Sequence, residues 1–139
     1  MAPGVPKSLR SWFVVHFVAD IAFALPLLIA PSAFLPLFGW THVDPVTTRL
    51  VGAALVGIGG ESLLGRNADL ASFRTMLRLK VLWSLTANAG FILSIIEGGA
   101  PWGTWLFLGI FMAFSALWIT YSVRLAKIAA EASRPAPAA

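Results

Sequence analysis

The chain alternates long apolar runs with short breaks of proline, glycine and charge. Within the runs, apolar residues fall on every side rather than on one stripe, the pattern of helices solvated by lipid. The first run predicts a helix over about residues 9–30, starting at Leu9 or Trp12, with Pro26 expected to kink its later half. PSAFLPLFGW, residues 31–40, is apolar but broken by Pro31, Pro36 and Gly39, so it should lie along an interface rather than cross. A second helix is expected over 45–64, with Asp44 as its cap and Pro45 at the first helical position. The polar link GRNADLASFR leads into a third helix over 73–97. Gly98-Gly99-Ala100-Pro101 is a tight turn, and a fourth helix follows over 102–124. The predicted fold is all-α: a polytopic membrane protein with four transmembrane helices in an antiparallel bundle. One domain covers 1–126, and 127–139, rich in Ala and Pro, reads as a disordered cytoplasmic tail.

Composition strengthens this reading. Of 139 residues, 58% are hydrophobic and only 12% charged, with a mean hydropathy of +0.83; a soluble domain carries about 25% charged residues. The net charge of +4 and pI near 10.4 do not mark a nucleic-acid partner. All the basic residues except Arg49 fall on one side of a four-span arrangement, which places both termini in the cytoplasm. Membrane lipids are therefore the first partners expected. Tryptophan agrees, with Trp12, Trp83 and Trp118 near the inner interface and Trp40, Trp102 and Trp105 near the outer one.

Candidate chemistry is sparse. There is no cysteine, so no disulfide or thiol nucleophile. Two histidines are too few for most metal sites, and no metal site is expected. No Walker-type loop, nucleophile elbow or HExxH motif occurs, and no enzymatic activity is expected. The second helix has a small-residue face, Gly52, Ala53, Gly57 and Gly60 with Gly59 beside them, suited to close helix packing. The same helix carries Glu61 inside its apolar run. Depth along the helices places Glu61 with His16, Asp20, Ser84 and Asn88 in one intramembrane polar cluster, either locking the helices together or serving a ligand or ion. His16 could also ligate a haem or a pigment metal. The sequence requires no cofactor and leaves room for a bound pigment or lipid. His42 and Asp44 read as local hydrogen bonding and capping. The fourth helix, WGTWLFLGIFMAFSALWITY, is aromatic nearly all round and suits lipid or an apolar partner.

The stretch DPVTTRLVGAALVGIG, opening the second of four short spans, resembles small bacterial inner-membrane proteins of the DoxX-like kind. The resemblance implies a four-helix bundle in the bacterial inner membrane, accessory to a redox or transport system. It brings no catalytic residues, and the cysteines that some relatives use are absent here. The expected function is a non-enzymatic accessory subunit of a larger membrane complex, photosynthetic or respiratory, among other membrane protein subunits. The alternative is a small transporter or apolar-ligand-binding bundle built on the Asp, Glu and Asn cluster.

Overall fold

The structure is a computed structural model, and it describes residues 4–132. Every regular element among them is helical: α1 (Lys7–Ile29), α2 (Pro31–Phe34), α3 (Pro45–Leu64), α4 (Leu70–Glu97) and α5 (Trp102–Ala132), with 3-10 turns at Leu35–Phe38 and Gly65–Asn67. Three helices, α1, α4 and α5, are long and apolar enough to cross a membrane. The outward faces suit one, because Val18, Leu82, Leu93 and Met112 all lie more than half exposed. In water, such continuous apolar surface would aggregate. The protein is a membrane protein.

The helix starts follow from local chemistry. Asp44 accepts hydrogen bonds from the Val46 and Thr47 amides and from the Thr47 hydroxyl, and Pro45 follows it, so α3 begins where the cap dictates. Asp69 does the same for α4 by accepting from the Ser72 amide, which starts that helix at Leu70 rather than Phe73. Both carboxyls are held below the usual range, Asp44 first by the Thr47 hydroxyl and Asp69 first by the Ser72 amide. A lowered folded-state pKa gives stabilisation that is present above the unfolded value and lost as pH falls through the folded one. Below about pH 4, exchange of the Val46 and Ser72 amides, corrected for intrinsic rates, should therefore accelerate several-fold while mid-helix amides stay protected. Unchanged protection would remove the carboxylates from this role.

Helix α1 contains Pro26 and ends at Ile29, as expected. Helix α5 continues past Arg124 to Ala132 through Ala, Lys and Glu, all good helix formers. The first part of the expected tail is thus helical, and 133–139 lie outside the described residues.

Contacts fix the directions. Against α1, Gly52 of α3 meets Ala24, Gly59 meets Asp20 and Ser62 meets His16, so α1 and α3 are antiparallel. Asn88 meets Ser115 and Phe91 meets Phe111, making α4 and α5 an antiparallel hairpin. The two pairs join at one end, where α1 and α4 begin and α3 and α5 finish. This end carries most of the basic residues and holds a tight core in which Leu9, Phe13, Phe73, Leu77, Trp118 and Leu125 are essentially inaccessible. Arg10 crosses it, donating to the carbonyls of Arg66 and Ala68 and lying over the Phe73 ring. Between the pairs, α3 and α4 approach each other only sparsely, while Phe23 of α1 meets Phe107 of α5.

The far end is closed by the proline-rich stretch. There α2 and the Leu35–Phe38 turn fold onto the end of the bundle and pack Phe38 against Phe107 and Trp102. Gly39 ends this turn with φ +90°, a left-handed conformation that glycine adopts without strain. Gly103, at the start of α5, lies directly under Phe38 and Trp40. Arg49 ties α3 to the end of α1 by donating to the Leu28 carbonyl.

Candidate functional site

Between the dry core at the basic end and the aromatic cap at the far end lies a cavity of about 760 Å³. Aromatic side chains dominate its wall: Phe23 of α1, Trp83 and Phe91 of α4, and Phe107, Phe111 and Phe114 of α5. Phe34, Leu35 and Trp40 close its far end. Thr47 and Val51 of α3, and Gly90 and Ser94 of α4, line it while remaining exposed. The cavity therefore opens sideways between α3 and α4. Its volume lies within the range of pockets that enclose small-molecule ligands, about 300–1,000 Å³.

The polar end is built from three helices. Lys80 of α4 is 3% exposed; its ammonium donates to Ser62 Oγ of α3 and lies 3.3 Å from His16 Nδ1 of α1. It also stands over the rings of Phe13 and Trp118 at 5.0 and 5.3 Å, a cation–π environment that offsets part of its lost hydration. Ser62 donates onward to the Ile58 carbonyl. The His16 ring is wedged edge-on between Phe114 and Trp118. One turn along α1, Asp20 Oδ2 approaches His16 Nδ1 to 3.0 Å, within ion-pair reach but without hydrogen-bond geometry.

Nδ1 of His16 thus faces the Lys80 ammonium at 3.3 Å and the Asp20 carboxylate at 3.0 Å; an ammonium only donates and a carboxylate only accepts, so a lone pair on Nδ1 serves Lys80 and a proton there serves Asp20. Oδ2 of Asp20 is buried and receives no hydrogen bond from the described residues.

The sequence cluster of His16, Asp20, Glu61, Ser84 and Asn88 separates into four places. His16 and Asp20 meet at the polar end. Ser84 lines the cavity wall just beyond and donates to the Val81 carbonyl. Asn88 turns away from them, donating to Ser115 of α5. Glu61 is exposed on the outside of α3, and its neighbour Ser62 faces inward instead. Lys80 and Ser62 were the residues sequence reasoning missed. Lys80 counts naturally as a boundary charge, and serines on apolar helices are commonplace.

The glycines also divide. Gly52 and Gly59 lie on the contact face with Thr48, Leu55 and Ser62. A Cβ at Gly59 would come within 2.7 Å of Asp20 Cβ. Gly57 and Gly60 face open space, and Ala53 is exposed. Half the tryptophans are equally displaced from a lipid-facing belt: Trp118 is 1% exposed in the core, while Trp40 and Trp83 line the cavity. Trp12, Trp102 and Trp105 face outward.

For a metal, the described residues gather no group of three or more His, Asp, Glu or Cys side chains. His16 turns Nδ1 to Lys80, Ser62 and Asp20, so a haem or pigment metal would need the lone pair of Nε2. His42 stays in its loop beside the Thr41 hydroxyl. Comparison with protein-family models, curated proteins and solved structures finds no match for this chain.

Proposed function

We propose that this protein binds a lipid-soluble molecule, taken from the bilayer through the opening between α3 and α4 and held in the aromatic cavity. The observation carrying this reading is the cavity itself, an apolar chamber of about 760 Å³ with its buried charges gathered at one end. Such a division suits a ligand with one polar end and an apolar body. Buried ionisable groups in membrane helices ordinarily mark a binding or transport pathway. The role proposed is binding or carriage.

The proposed setting is a bacterial inner membrane crossed four times, with both termini in the cytoplasm. Helix α3 supplies the fourth crossing; its length of about 30 Å at 1.5 Å per residue matches the hydrocarbon core, and Arg49 and Glu61 lie near its ends. The concentration of basic residues at one end supports the orientation. The motif at the start of α3 keeps the DoxX-like resemblance as part of this proposal. An accessory role within a larger complex is compatible with carriage, since the exposed faces of α5 at Trp105 and Met112 would suit an apolar partner.

Filling the cavity tests the reading. Gly90 lines it, and a Cβ there meets nothing within 4 Å, so Gly90→Leu should fold normally while occupying ligand space. Native mass spectra of wild-type protein purified in mild detergent should carry a bound apolar adduct. Gly90→Leu and Ala87→Phe should reduce that adduct at least tenfold at unchanged melting temperature. Wild-type protein without an adduct, or equal adducts in all three, would overturn the proposal.

A further inference from the structure

We infer that the ligand is a single-tailed amphiphile whose head carries a hydroxyl group, which accepts from Lys80 and donates to Asp20. This rests on the ligand-binding reading and adds the chemistry of the head. Two features lead to it. Asp20 Oδ2 is buried against the cavity and receives no hydrogen bond from the described residues. An unmade bond at a buried charged acceptor is expensive, so the occupant should bring a donor. Lys80 has three ammonium hydrogens, and its two hydrogen-bond contacts are Ser62 and His16; the third can be donated to an acceptor on the same head.

A hydroxyl satisfies both demands with one oxygen. An ether or ketone brings no donor, and an ammonium head would face Lys80 with like charge. A permanently anionic head would crowd the Asp20 carboxylate. The apolar part also has a defined path. From Lys80 to Ser94 along α4 the cavity wall spans about 21 Å at 1.5 Å per residue, room for one long chain laid along the bundle axis. Phe91 and Phe107 flank that path, and the opening beside Gly90 admits the chain from the lipid without passing the head through water.

The test measures displacement of tritiated hexadecan-1-ol from the full-length, detergent-solubilised protein by scintillation proximity. Hexadecan-1-ol should compete about tenfold or more better than hexadecyl methyl ether, the fold expected for one hydrogen bond to a charged group. A second pair, 4-pentadecylphenol and its methyl ether, distinguishes a phenolic from an aliphatic head, and the pair with the larger ratio identifies the source. Asp20→Asn, close to isosteric, should bring the alcohol-to-ether ratio to within about threefold, read on the folded protein that still binds the ether. Equal competition by alcohol and ether on wild-type protein would overturn the hydroxyl inference yet leave a ligand in the cavity. Absence of any specific binding, together with no adduct in the native mass spectrum, would sink the cavity reading as well.

Discussion

Replacing Lys80 with methionine should destabilise the protein by about 3–5 kcal/mol, the range for removing one partner from a buried charged network. Methionine fills much of the same volume, so the loss reports charge and hydrogen bonding rather than a void. Lys80 reaches both Ser62 and His16 and supplies a positive charge near Asp20. Without it, the Asp20 carboxylate lies buried with no cation beside it. Adding Asp20→Asn to Lys80→Met should therefore recover about 2 kcal/mol or more, since the double variant buries no unpaired charge. Denaturation in mixed micelles followed by tryptophan fluorescence would measure both values, with Trp118 at 5.3 Å from the ammonium as the local reporter. If Lys80→Met melts with wild type, the three-helix junction does not depend on this charge. If the double variant is no better than the single, Asp20 is not its electrostatic partner.

The same residue shows why part of the site was not legible in the sequence. Helix limits were readable because caps, prolines and glycines are local signals: Asp44-Pro45 placed α3 at its observed start. Which side of each helix faces inward was not, because α4 is apolar nearly all round and no stripe fixes its rotation. Lys80 follows Arg74 and Arg78 in a basic series and looks like one more orienting charge. Only packing reveals that it turns onto His16. Glu61 and Ser62 make the complementary case. Adjacent residues on a helix point about 100° apart, and depth along the helix could not choose between these two neighbours on α3. The cavity was even less accessible, since it lies between the hairpin of α4 and α5 and the pair α1 and α3. No single segment records that space.

The glycines of α3 should respond with opposite signs. A methyl group at Gly59 would lie 2.7 Å from Asp20 Cβ and 3.0 Å from its carboxylate, closer than packed atoms tolerate. At this position α1 and α3 are in direct contact, so relief requires moving Asp20 or parting the helices. Gly59→Ala should therefore destabilise by about 1–3 kcal/mol. Gly57→Ala and Gly60→Ala meet open space and should be neutral or stabilising by up to about 1 kcal/mol, from the better helix propensity of alanine. A general helix-packing role for the whole glycine stripe would make all three substitutions harmful, so the signs decide between the two. The cause at Gly59 can be isolated further. In an Asp20→Gly background both the clashing Cβ and the carboxylate are gone, and Gly59→Ala should lose most of its penalty in the same micellar unfolding assay. Persistence of the full penalty there would assign it to backbone separation between α1 and α3. Its disappearance would show that the glycine is kept so that a carboxylate can sit beside bare backbone at the polar end of the cavity.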